Sequence, residues 1–377
     1  MNKSQHPANI HTCIEKTAQL MRVLYQKIGR IWFNQTSVKR FAYLCFLGAI
    51  LSVVISACAG SYSATEPEIK LRLVSFSVTK AAHDQIIPKF VEKWQKEHNQ
   101  KVVFDQSYGG SVAQAADVIS GKQEADIVHL ALPLDVLRIQ QAGLIKSSWQ
   151  IRTPRNGIVS KSVAAIVTRE GNPKKIQTWA DLAKDNVQLI AANPKTSGIG
   201  IWELLAFWGS VTQNGGDEAT ALNYIAKVYQ NAAVLTKDAR EASDVFFQKA
   251  QGDVLITYEN EVTLAEKTAT KLPYVIPELN ISIDNPVAVV DKNVDQHKTR
   301  KVAEAFVDFL YSSEAQREFA KLQYRPVNPT VTQEVISQYP PIQTLFTAQD
   351  LGGWDIIQTK FLNDGAIFDK IKANSKA

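Results

Sequence analysis

The sequence predicts an α/β protein, on three observations. Short apolar runs suited to strands alternate with longer amphipathic runs suited to helices along the whole body of the chain. Those apolar runs are nearly continuous, as in parallel-rich sheets covered by helices on both faces. Once an N-terminal leader is set aside, about 320 residues remain, enough for two lobes of ordinary size.

Taken in order, LRLVSF (71–76) is a strand that feeds an amphipathic helix over 80–98, with apolar positions at 86, 87, 90, 91 and 94. KVVFDQ (101–106) is a second strand, followed by a glycine pair, Ser111 and a helix that Gly121 ends. ADIVHLAL (125–132), SVAAIVTR (162–169), NVQLIAANP (186–194) and GDVLITYE (252–259) are further buried strands with helical stretches between them. Residues 291–322 supply late helices broken at Ser312-Ser313. In such sheets ligands gather beyond the carboxyl ends of the strands, where helix N-termini point.

The leader is distinct. Residues 41–57, FAYLCFLGAILSVVISA, carry no charge, follow Lys39-Arg40 and end at Cys58, the layout of an export signal. Ile55-Ser56-Ala57-Cys58 reads as a lipobox that would place a lipid on Cys58. Ordinary cleavage beside Ala57 is the rival, and a membrane anchor would be short at 17 residues. Residues 1–57 are thus expected to be an export signal and 58–68 a small, polar tether.

Seven basic residues against Glu15 give residues 1–40 a charge of +6, which leaves −1 for residues 58–377 out of the total of +5. The basic balance belongs to the leader, so nucleic acid is not an expected partner. All three cysteines, Cys13, Cys45 and Cys58, lie in or at the end of the leader. The body therefore has no thiol for a disulfide, a metal site or a nucleophile. His83, His98, His129 and His297 show no metal-ligand spacing, and no phosphate loop is present.

Ser111 carries the sharpest question. Gly109-Gly110-Ser111-Val112-Ala113 nearly matches the G-x-S-x-G elbow of serine hydrolases, in the right strand–turn–helix setting. It departs at Ala113, and the only histidine far downstream, His297, sits in a charged run where solvation is expected. A helix cap is the stronger alternative, because Ser111-Val112-Ala113-Gln114 fits a capping box. Three other joints are equally rich in donors: Ser77 after the first strand, Ser197-Gly198-Ile199 before a helix, and Ala239 at a helix start. Each helix start offers unpaired N–H groups and a partial positive charge to an anion.

DQSYGGS (105–111), NPKTSGIGIW (193–202), DAREASDVFFQKAQGDVLITYENE (238–261) and LGGWDIIQTKFLNDGAIFDKI (351–371) resemble the sulfate-binding proteins of bacterial ABC importers. The resemblance runs from about Leu71 to near the C-terminus. It implies a periplasmic, two-lobed (type II) binding protein with a hinge, closing over sulfate or thiosulfate and serving permease and ATPase subunits on other chains. It implies a monomer without cofactors, and lobes at about 69–156 with 281–377, and 157–280.

Carried over by position, the resemblance implies hydroxyl donation from Ser111 and Ser197, and backbone N–H donation from Gly198, Ile199 and Ala239. Ser77 stands where the family commonly has an aspartate that lends its amide. Tyr258 stands in place of a tryptophan. Arg240 is expected to support the site from behind, with Asp238 turned toward it, and Lys195 is expected to be a solvated loop residue. Sulfate has no proton, so a donor set without a carboxylate favours it over phosphate; phosphate- and molybdate-type receptors are the near alternatives.

Overall fold

The computed structural model describes residues 66–266 and 271–374, and Arg22 alone in the leader. The export signal, Cys58 and most of the tether lie outside the described residues. The body forms one compact unit from Glu66 onward.

Two sheets organise it. The first contains β1 (Glu66–Phe76), β2 (Gln100–Gly109), β3 (Ile127–His129), β4 (Ile158–Ser162), β11 (Ile283–Val289) and β12 (Arg325–Pro326), in the order β12-β4-β11-β3-β1-β2. The second contains β5 (Ala164–Thr168), β6 (Leu189–Ala192), β7 (Ala232–Thr236), β8 (Val254–Tyr258) and β9 (Tyr274–Val275), in the order β7-β6-β8-β5-β9. A small parallel pair joins β10 (Leu279–Ile281) to β13 (Thr344–Phe346).

The helices that position the site follow strand ends. They are α1 (Lys80–His98), α2 (Ser111–Ile119), α3 (Pro133–Gln141), α4 (Gly198–Thr212), α5 (Glu218–Gln230) and α6 (Ala239–Ser243). α7 (Asp291–His297), α8 (Arg300–Leu310), α9 (Ser313–Lys321), α10 (Gly353–Ile357) and α11 (Ile367–Asn374) come later.

Where a helix links two strands of one sheet, as α1 links β1 to β2, the strands are parallel. Where the chain passes directly from sheet to sheet, at β4–β5 and β10–β11, antiparallel pairs appear instead. The sheets are therefore mixed, each with a parallel portion of three strands. β3, β5 and β8 are buried at every position, which is why their sequences are unbroken apolar runs. α4 is apolar on almost all sides because it is buried almost all round.

Three placements differ from the sequence expectation. β1 begins at Glu66, inside the expected tether, because its N-terminal end pairs with β2 at Gln100. β4 belongs to the first sheet, so the chain changes sheets at Val163, later than residue 157. The C-terminal helices leave the company of α7–α9 and pack on the second sheet's helices. Trp354 meets Trp202 at 5.3 Å, Phe361 meets Trp208 at 5.0 Å and Phe368 meets Tyr229 at 5.5 Å.

One buried carboxylate ties three segments of the first sheet's periphery. Asp291 at the start of α7 accepts both terminal nitrogens of Arg152 (2.9 and 2.7 Å), the Lys146 N–H (2.8 Å) and Arg300 Nη1 (3.0 Å). Burial alone would raise its pKa, but the hydrogen bonds from Arg152, Lys146 and Arg300 outweigh it and hold the group at about 2. For an acid lowered from 3.8, this stabilisation is complete above the unfolded value and disappears as pH falls toward 2. Asp291→Asn is expected to cost on the order of 3 kcal/mol at neutral pH, since it leaves two guanidinium groups without their shared partner. Urea titrations at pH 7 and pH 3 check it: the gap between wild type and variant should shrink at the lower pH.

Candidate functional site

The GGS joint resolves against the helix-cap reading. Gly110 is the N-cap of α2 and Ser111 its first helical residue. The Gln114 N–H bonds to the Gly110 carbonyl at 2.8 Å, and the Gln114 amide reaches the Ser75 carbonyl and Ser107 hydroxyl, both at 3.2 Å. No capping box forms. The Ser111 hydroxyl donates to Asp135 Oδ2 at 2.6 Å and accepts the Ala131 N–H at 2.9 Å.

The hydroxyl that Ser111 is expected to offer an anion is engaged within the protein here. It is held by a fully buried carboxylate, and what Ser111 presents at the helix mouth is its backbone N–H, one of the groups a first turn leaves unpaired. Asp135 is itself pushed up by burial, against the ion pair with Arg138 (3.0 Å) and the Ser111 bond. The same geometry weighs against a nucleophile, since the partner of the hydroxyl is an acid. His297 is not solvated as expected: its Nδ1 lies 2.8 Å from the buried Asp126, where it fastens the end of α7.

Absent side chains let the loops meet. A Cβ on Gly110 would lie 2.3 Å from the Thr196 carbonyl oxygen and 2.8 Å from that of Lys237. A Cβ on Gly198 would lie 2.3 Å from the Ala131 Cβ and 3.0 Å from the Ser111 Cβ. The Ala113 N–H donates to Thr196 O at 3.2 Å, and the Thr196 hydroxyl donates to Lys237 O at 2.9 Å. Joints 109–111, 196–198 and 237–239 therefore stand shoulder to shoulder.

The second sheet contributes most of the remaining candidates. Ser197 is the buried N-cap of α4, and its hydroxyl makes no capping bond. Gly198 and Ile199 are the first two residues of that helix, with N–H groups that have no intrahelical partner. At α6, Asp238 Oδ1 accepts the N–H groups of Arg240 (2.9 Å) and Glu241 (3.0 Å) and leaves out that of Ala239. Asp238 thus caps the helix. It meets the backbone of Arg240 and not its guanidinium, which goes to Glu261 at 3.1 Å. Burial pushes Glu261 up to about 7, against the pull of Arg240 and Ser243.

Ser77 opens the turn before α1, and α6 packs against that turn. Tyr258, at the end of β8, is buried with its ring 5.9 Å from Phe76. Burial holds the phenol proton well above its ordinary range, so Tyr258 remains a donor. Lys195 points away, to Asp369 (3.0 Å) and the Leu362 carbonyl (2.9 Å). Half-buried, it ties the loop to α11 and does not stand free as expected. Arg138, Arg240 and Lys195 all have carboxylate partners.

Sequence reasoning missed Asp135, Ala131 and Trp202. Pro133 at the start of α3 marks the helix that carries Asp135, but nothing local links it to Ser111, 24 residues away. Behind the Ser75–Thr79 turn lies a buried histidine pair. His83 Nε2 is 3.1 Å from His129 Nδ1, and His83 Nδ1 is 3.0 Å from the Tyr108 hydroxyl. Burial lowers His83 to about 3, with Asp84 pulling the other way, and burial, then the neighbouring His83, hold His129 well below its ordinary range.

A base lowered on folding binds more protons unfolded. The stability it contributes is complete above the unfolded value near 6.5 and is lost as pH falls toward about 3. Denaturant titrations at pH 7 and 4.5 should show that loss, and His83→Gln should lose less between the two pH values.

Comparison with known proteins shows the family. A family model described as bacterial extracellular solute-binding protein matches residues 71–325. A sulfate-binding protein of Synechococcus elongatus is 49% identical over 339 residues, 89% of this chain and 96% of that protein. A thiosulfate-binding protein of Pseudomonas aeruginosa is 34% identical, over 84% of this chain and 95% of its own length. The solved structure of the sulfate-binding protein SubI from Mycobacterium tuberculosis H37Rv matches with a TM-score of 0.71 at 31% identity, covering 78% of this chain and 100% of that one. Fold, joints and relatives together make this chain a member of the bacterial extracellular solute-binding protein family, built as a two-lobed periplasmic binding protein.

Proposed function

We propose that this protein is a periplasmic receptor for sulfate, with thiosulfate as a second acceptable guest, that delivers the anion to an ABC importer. The observation that carries the reading is the meeting of the α2, α4 and α6 N-termini around Gly110 and Gly198. Each helix N-terminus carries roughly half a positive charge. The donors are the N–H groups of Ser77, Ser111, Gly198, Ile199 and Ala239, with the hydroxyls of Ser197 and Tyr258. Hydrogen bonds to a charged group contribute about 1.5–3 kcal/mol each, so several can offset dehydration without a counter-charge.

Sulfate only accepts hydrogen bonds, and every group in this set can donate one. Phosphate retains a proton near neutrality and gains from a carboxylate acceptor, which the set lacks. The relatives named for sulfate and thiosulfate support the same choice. The sheets support a division into one lobe of about 66–162 with 283–335, and another of 163–282 with the C-terminal helices packed on it. An anion between them shifts the hinge toward the closed form, which the permease senses. Export by the leader, lipid attachment at Cys58, a monomeric receptor, and permease and ATPase on separate chains complete the reading. The mass of the mature protein tests the lipid.

Calorimetric titration of residues 66–377 tests the rest. Sulfate is expected to bind at least about a hundredfold, or about 2.7 kcal/mol, more tightly than phosphate or molybdate. Its affinity should hold steady from pH 5.5 to 8, because no donor in the set titrates there. Ser197→Ala should weaken binding about 10- to 100-fold by deleting one donor to a charge. Silence toward all of these anions, with turnover of an ester, would instead favour the hydrolase.

A further inference from the structure

We infer that the indole N–H of Trp202 is a latch that holds the two lobes closed over the anion, acting through the Ala131 peptide group. The inference rests on the receptor reading above.

Trp202 lies four residues after Gly198, so the two share one face of α4. On that face Gly198 abuts Ala131 and Ser111, and Trp202 Nε1 donates to the Ala131 carbonyl at 2.9 Å. Ala131 follows β3 in the first sheet, whereas α4 packs on β5, β6 and β8 of the second. The bond therefore joins the two halves of the body directly beside the donor set. The N–H of the same residue, in the preceding peptide unit, donates to the Ser111 hydroxyl, so the latch and the α2 joint are anchored on one residue.

Two features make this bond suited to forming and breaking. Asn285 Nδ2, on β11 of the first sheet, donates to the same carbonyl at 3.0 Å. The acceptor therefore stays satisfied when Trp202 departs, and a buried orphan is avoided. On the other side, Trp354 meets the Trp202 ring edge-on at 5.3 Å and 75°, and Lys195 fastens the neighbouring loop to α11. The C-terminal helices thus hold the indole in its donating orientation before the lobes meet, which is preorganisation of the bond.

Stopped-flow exchange of sulfate from residues 66–377 tests the latch. Trp202→Phe keeps the ring and its contact with Trp354 and deletes only the N–H. Sulfate release is expected to accelerate about tenfold with association within about twofold, as for loss of one bond made after encounter. Unliganded thermal stability should change little. In wild type, the Trp202 indole N–H signal in nitrogen–proton correlation spectra, assigned by its loss in the variant, should gain protection from solvent exchange when sulfate is added. An unchanged release rate in the variant overturns the latch, as does an indole signal equally protected with and without sulfate. Should Trp202→Phe not fold, the exchange measurement on wild type decides, with the signal assigned through selective labelling. Failure of the wild type to bind sulfate overturns the receptor reading itself, and the latch with it.

Discussion

Gly110 has room for nothing but hydrogen, and the site depends on that. Its backbone sits at an ordinary φ of −65°, so conformational freedom is not what glycine supplies here. It supplies proximity: the Thr196 and Lys237 carbonyls occupy the space a methyl group would need. Because three joints touch at that point, the starts of α2, α4 and α6 lie beside one another. The dipoles and N–H groups of each would be modest alone, and they act together only when their separation is that short.

The surrounding charges follow from the same constraint. A crowded, buried mouth cannot keep an unpaired ion, and the ionisable side chains near it are arranged accordingly. Asp135 is opposed by Arg138 and Ser111, Arg240 by Glu261, and Lys195 by Asp369. Asp238, which stood to repel an anion, is turned onto the amides of Arg240 and Glu241. The donor set proposed for the mouth is neutral. Sulfate is complementary to such an environment, since it carries charge without a proton to share.

Much of this was legible in the sequence because it is written locally. β3, β5 and β8 announce themselves as apolar runs, and the donor-rich joints show as small residues between a strand and a helix. β11 was missed because Pro286 sits inside it, at a register shift against β4 where a proline is tolerated. The Asp135 partner of the Ser111 hydroxyl is not legible, because the two residues come together only on folding. His297 looked solvated because its run is charged, yet the fold brings Asp126 to it across 171 residues. The resemblance groups the C-terminal helices with residues 69–156, whereas their aromatic residues pack on the tryptophan- and tyrosine-bearing faces of α4 and α5. Local chemistry is readable in a chain; pairings across long separations are not.

The central claim is that contact at Gly110 assembles an anion site from otherwise separate joints. The most direct measurement is the sulfate affinity of Gly110→Ala, in a sample shown by circular dichroism to be folded. Alanine is at ease with this backbone conformation, so only the two carbonyls resist it. The account predicts a loss of at least about a hundredfold, equivalent to two donors displaced. Affinity equal to wild type would contradict it.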